Sequence, residues 1–250
     1  MTKKPSKEQR ESHEKNLVRE YFDNKRNGFF VDVGANNPTT IMSQSNHLEK
    51  VLDWSGILVE PNPIFARLAR ENRPNSYLFE GACVDTDDHP NLTLYIPLKN
   101  GQEMDVHAGI DKNIDDFSYT NHKEISIAAR SLNSILKEQN APEIDLLSID
   151  VEGAELQVLQ GLDIDKHKPK LILLEDKHLY LTKHRFLKKH NYQLIKRTGF
   201  NFWYAPKGAK RIHQSFSEKF RIFKRMYLSI WLKKINFCIR HKTIKPLMSL

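Results

Sequence analysis

Cysteine is scarce in this chain of 250 residues, with Cys83 and Cys238 the only two. A disulfide framework or a cysteine-rich zinc site therefore has no support, and a reducing, cytoplasmic setting fits. Long apolar runs are missing too, because no stretch approaches the roughly 20 residues needed to span a bilayer. The opening residues Met1-Thr2-Lys3-Lys4-Pro5-Ser6-Lys7-Glu8 lead into more charge, so they do not read as a secretory signal. No internal repeat, low-complexity tract or Asn-Pro-Pro-Tyr base-flipping motif is present.

What is abundant is positive charge, and it is unevenly spread. The net charge is +8, yet eleven Lys and Arg against the single acid Glu218 fall between Lys210 and Leu250, which leaves residues 1 to 209 slightly acidic. A nucleic-acid partner is therefore not expected, although the tail can attract phosphates or anionic lipid headgroups. With 39% hydrophobic residues the chain can bury one full core.

The pattern divides the chain into a helical lead-in (1–26), a central domain (27–207) and a basic, aromatic, helical tail (208–250). In the centre, Phe29–Val33, Ile57–Glu60, Tyr77–Phe79, Ile144–Asp150 and Leu171–Glu175 read as strands. Thr40–Lys50, Ile64–Asn72, Ser131–Gln139 and Ala154–Leu159 read as helices between them, followed by a helix around His178–His190. Tyr192–Lys196 and Phe202–Ala205 could close the sheet as an antiparallel edge. This alternation predicts an α/β, doubly wound, mostly parallel seven-stranded sheet with helices on both faces. Asn91–Asn121 fits poorly: Leu92, Leu94 and Ile96 alternate like a strand, and the polar remainder suits a lid or substrate loop.

Ligands of such sheets bind at the carboxyl ends of the strands. The first strand ends in Asp32 and Gly34, an acceptor beside a residue that permits close backbone approach, a pattern common to many ligands. A dinucleotide loop would carry Gly-x-Gly-x-x-Gly, whereas Gly34 is followed by Asn36, Asn37 and Pro38. The second strand ends in Glu60, placed to take both hydroxyls of a ribose, and Asn62 follows among the cofactor contacts. At a third strand end, Gly81-Ala82-Cys83-Val84-Asp85 offers small residues for a flat adenine, with Asp85 available to its amine. Cys83 suits a small buried hydrophobe better than a reactive thiol. The fourth end, Ile149-Asp150-Val151-Glu152-Gly153, delivers two carboxylates to the same edge.

Together, Val31-Asp32-Val33-Gly34-Ala35-Asn36 and Ile149-Asp150-Val151-Glu152-Gly153 resemble the hallmarks of the FkbM-type methyltransferases, with similarity from about Gly28 to Tyr204. The resemblance implies a Rossmann-like class I fold and S-adenosylmethionine as cofactor. It implies that Asp32, Gly34 and Asn36 bind the methionine part, Glu60 the ribose and Ala82 and Cys83 the adenine, with Asp150 near the sulfonium. Ser148 stands where many members carry Lys, and Asn37-Pro38 where a Gly is common.

The candidates for taking a proton from the acceptor are Asp150, Glu152 and His178, each of which could instead serve as a cap or surface group. Glu175 could orient such a base. A divalent metal bridging Asp150 and Glu175 is compatible with the sequence but not demanded by it. His13 and Glu14 could close over the cofactor or simply form a solvated helix face. In the tail, Phe216, Phe220, Phe223, Tyr227 and Trp231 form one helical stripe, which either packs on the domain or lies in an anionic membrane surface. The expected activity is O-methylation of a sugar or glycan hydroxyl, in the cytoplasm or on the cytoplasmic face of a membrane. Two alternatives are methylation of a small polyketide-like or lipid alcohol, and an inactive membrane-associated scaffold.

Overall fold

In the computed structural model the described residues are 6–38, 43–103, 108–110, 121–176, 181–229, 232, 235, 238 and 239. The chain opens with α1 (Lys7–Tyr21), β1 (Phe29–Val33), α2 (Gln44–Leu52), β2 (Ser55–Glu60), α3 (Pro63–Asn72) and β3 (Ser76–Glu80). Then come β4 (Ala82–Val84), β5 (Asn91–Lys99), β6 (Gln102–Glu103), β7 (Asn121–Ser131) and α4 (Leu132–Glu138). The second half carries β8 (Leu146–Ile149), α5 (Glu155–Gln160), α6 (Ile164–His167), β9 (Leu171–Glu175) and α7 (Thr182–Lys189). It ends with β10 (Tyr192–Thr198), β11 (Asn201–Pro206), α8 (Phe216–Phe223) and a π-helical turn, Lys224–Ser229.

Seven strands form one sheet in the order β10-β11-β9-β8-β1-β2-β3. The central strands are parallel, and β11 runs antiparallel to both β9 and β10. Their near-continuous apolar runs follow from burial on both faces. Val31, Val33, Val59 and Ile149 face a core with Leu132, Val158 and Leu187 from α4, α5 and α7. Phe30, Leu58 and Leu146 face the opposite core with Val18, Leu48 and Ala69 from α1, α2 and α3. The lead-in helix is thus part of the core. Glu14, expected near the cofactor or in solvent, is buried and accepts from Gln44 (3.2 Å) and Asn201 (2.7 Å).

Helix starts follow local chemistry. Ser43 accepts the Asn46 N–H and caps α2 at Gln44, with Thr40–Met42 of the expected helix outside the described residues, while Asn62 caps α3 with Pro63 in its first turn.

In a second sheet, β4-β7-β5-β6, β5 is the strand expected from the alternation of Leu92, Leu94 and Ile96, and its partner β7 was not expected. Asn91–Leu98 pair with 121–128 of β7, and Leu94, Ile96 and Ile127 close a small core with Ala82. One correction concerns the third strand end. β3 stops at Glu80, and Ala82–Val84 switch to pair with β7. A Cβ on Gly81 would lie 2.5 Å from the Ala128 carbonyl oxygen, so the crossing requires glycine.

Candidate active site

The chain turns to opposite sides of the large sheet from β1, and the site opens between β1 and β8. The Asp150 N–H donates to the Val33 carbonyl (2.9 Å) and the Gly34 N–H to the Val59 carbonyl (2.9 Å). Gly34 has φ +84°, and a Cβ there would lie 1.9 Å from the Asp150 carbonyl oxygen. Only glycine lets these strand ends meet.

Glu60 is buried at the end of β2. Its carboxylate accepts the Asn36 N–H (2.6 Å) and the Asn62 N–H (2.8 Å). Burial raises its pKa to about 7, opposed by the two backbone donors and reinforced weakly by Asp32. Gly34, Asn36, Glu60, Ala82, Cys83 and Asp150 all line one cavity, together with Glu152. The rest of its wall is apolar: Val33, Val59, Phe65 of α3, and Leu94 and Ile110 beside the small sheet. Burial, with a smaller push from Asp87, drives the Cys83 thiol pKa up, so Cys83 serves as wall and not as nucleophile.

Three expected cofactor contacts sit elsewhere. Asp32 is buried but absent from the cavity wall, because strand alternation points it away from Val33. Its carboxylate accepts from Ser45 and interacts with Arg73, Ser148 and Ser43, and burial raises its pKa against those partners. Ser45 in turn accepts from Arg73 (3.1 Å), which is paired with buried Glu49. Asp32 therefore ends a buried polar chain that fixes α2. Asn62 is also off the wall, holding Glu60 through its N–H and capping α3 through its side chain (Ile64 N–H, 3.0 Å). Asp85 lies outside the cavity and lines an adjoining groove with Thr86, His89, Tyr95 and Gln157.

Asp150, Glu152 and Glu175 converge, offering carboxylate oxygens within 4.8 Å of one another, a spacing that could hold one divalent cation. Glu152 has φ +51° and Gly153 φ +111°, so the loop is bent tightly at the carboxylate. Glu155 braces it by accepting the Gly153 N–H (2.8 Å). Lys183 joins Glu155 (3.0 Å) and Asp176 (3.0 Å) in a buried trio. Burial works against the Lys183 charge, but the two carboxylates prevail and raise its pKa. Its sequence signal was a lysine at i, i+4 from Leu187, on the buried face of α7. His178 lies outside the described residues.

A sequence profile described as the methyltransferase FkbM domain matches residues 32–202. The chain belongs to the FkbM methyltransferase family. No curated protein matches it. Among solved structures, it is similar to the FkbM methyltransferase of Methylobacillus flagellatus KT: TM-score 0.44, 17% identity, covering 71% of this chain and 43% of that one. This chain thus spans less than half the length of that protein. It is also similar to a precorrin-6y C5,15-methyltransferase of Geobacter metallireducens GS-15: TM-score 0.41, 14% identity, 82% and 90% covered. A third similar structure is TYW2 of M. jannaschii in complex with AdoMet: TM-score 0.35, 14% identity, 78% and 73% covered.

Membership makes S-adenosylmethionine the cofactor, and the residues present fit it. Glu60 offers a buried acceptor for a ribose diol, and Phe65, Cys83 and Leu94 form an apolar slot for a flat base. Asp150, on the same wall, would supply negative charge toward a cationic sulfur.

Proposed function

We propose that this FkbM protein methylates a hydroxyl of a sugar or glycan. The supporting observation is that the cofactor cavity and the adjoining groove share Ile110, Glu152 and Ala154. The groove is polar, with Asp85, His89 and Gln157 as hydrogen-bonding groups and Tyr95 as an aromatic wall. Vicinal hydroxyls and the apolar face of a pyranose call for that mixture.

Bound S-adenosylmethionine supplies a methyl group activated by positive sulfur. Gly34, Asn36, Glu60 and Asp150 would hold it, and it would give up that methyl to the acceptor oxygen, leaving as the neutral thioether. Glu152, on both walls, receives the hydroxyl proton, and Asp150 holds the cationic side. Glu155 and Lys183 keep the Glu152 loop in place.

Glycans incubated with enzyme and cofactor should gain the mass of one methylene. Glu152→Gln should lower turnover about a thousandfold with cofactor affinity unchanged, whereas Asp150→Asn should weaken cofactor binding. Folded protein that binds no S-adenosylmethionine in calorimetry would sink the reading. Transfer only to apolar alcohols would move the acceptor to that class. The carboxylate trio favours one competing arrangement, a divalent cation that acidifies the hydroxyl. Activity that survives chelation supports Glu152 as base; activity lost and restored by Mg²⁺ assigns that role to the metal.

A further inference from the structure

The tail packs on the domain without burying its aromatic stripe. It docks through Ile222 and Met226, with Met226 only 4% exposed within the main core. The Tyr227 hydroxyl lies 3.3 Å from His184 Nε2, a further tie to the domain. The aromatic stripe points away: Phe216 is 86% exposed, Phe220 52%, Phe223 50% and Tyr227 42%. Leu228, Leu232, Ile235 and Ile239 extend it as exposed residues. Eight of the twelve exposed large apolar residues among those described therefore fall within residues 216–239, a concentration that marks an interaction surface. Lys219 and Lys224, both exposed, flank the stripe. Beside it, a groove is lined by Lys188, Lys207, Arg211 and His213, all exposed.

We propose that this face is an interfacial anchor for an anionic lipid surface. Phe216, Phe220 and Phe223 would enter the headgroup boundary while Lys219, Lys224 and the groove cations meet lipid phosphates. Charge decides against a second copy of the chain, since two tails with eleven cations and one acid each would repel. The aliphatic members decide against nucleic acid, because Leu228, Ile235 and Ile239 offer nothing to a base or phosphate but suit acyl chains. No helix among the described residues is long and apolar enough to cross a membrane.

Point substitutions test this better than deletion, which would strip Met226 from the core. Full-length protein should float with phosphatidylcholine vesicles containing about one-third phosphatidylglycerol and much less with phosphatidylcholine alone. Phe216→Ser, Phe220→Ser and Phe223→Ser combined should weaken vesicle binding at least about tenfold. Lys219→Ala and Lys224→Ala should each cost roughly fivefold. S-adenosylmethionine affinity should be unchanged in every variant, establishing that the fold is intact. The proposal is overturned if the protein fails to float, if neutral vesicles bind it equally, or if the serine variant floats like the parent. A concentration-dependent dimer that the serine substitutions abolish, without flotation of the parent, would reassign the face to self-association. Flotation abolished by a single-stranded oligonucleotide that binds with higher affinity would reassign it to nucleic acid.

Discussion

The two edges of the central sheet treat carboxylates in opposite ways. At the amino edge, Asp145 is met by Lys25 (2.6 Å), Lys170 (2.9 Å) and the Phe29 N–H (3.0 Å). Burial works to raise its pKa, but those partners prevail and hold it below the usual carboxylate range. At the carboxyl edge, Glu60 is met among the described residues by the Asn36 and Asn62 backbone donors, and burial lifts its pKa to about 7. One edge neutralises its buried carboxylate with lysines, whereas the other holds a carboxylate that burial makes costly to ionise.

Substitutions that exchange the two behaviours test this contrast, and the largest effect is expected at Gly34. Gly34→Ala should cost roughly 3 kcal/mol or more, read from the denaturation midpoint, because a Cβ there collides with the Asp150 backbone. A near-native midpoint would mean the strand ends can separate.

At the other edge, Asp145→Asn should cost roughly 2–3 kcal/mol while leaving cofactor affinity unchanged. Because the folded-state pKa of Asp145 is depressed, its contribution is present above the unfolded value of about 3.9 and disappears as pH falls through the folded value. The parent should therefore lose stability in acid faster than the Asn variant.

Glu60 has the opposite sign. Its raised pKa favours the cofactor-free fold below about 4.3, the unfolded value, an advantage lost as pH rises through about 7. Affinity for cationic S-adenosylmethionine should instead rise roughly tenfold from about pH 6 to 8 as Glu60 ionises. Calorimetry of Glu60→Gln should give a flat profile; an unchanged slope would place the titrating group elsewhere.

The smallest effect is expected at Lys183, which acts through the Glu152 loop. Lys183→Met should reduce kcat several-fold, about 1 kcal/mol in transition-state energy, with KM for cofactor little changed and partial rescue by Arg. A change in KM alone would detach this trio from the reaction.

How much of this was legible in the sequence depended on burial. Ile144–Asp150 was plain because β8 is apolar on both faces, and Glu60 and Asp150 were plain because strand ends mark the edge. β7 was missed because its first half is largely solvent-facing, leaving inward alternation only from Ile127 to Ser131. Asp32 was placed at the cofactor by resemblance. Yet the two-residue period beside Val33 already sent its side chain to the other face, among the serines of α2. Asp85 and Cys83 were assigned together because nothing in the sequence marked the change of sheet at Gly81. Lys183 carried a readable signal, a charge on an apolar helix face, whose partners lie too far away in sequence to be named.

The lining that the cavity and groove share at Ile110, Glu152 and Ala154 has an evolutionary consequence. On the proposed reading, the donor lies at the ends of the parallel strands, while the acceptor groove draws largely on residues 84–95. Drift or grafting within that short stretch can change the customer without retooling the methyl supply. Diversification in such a chain should therefore concentrate in the groove and spare the cavity it adjoins.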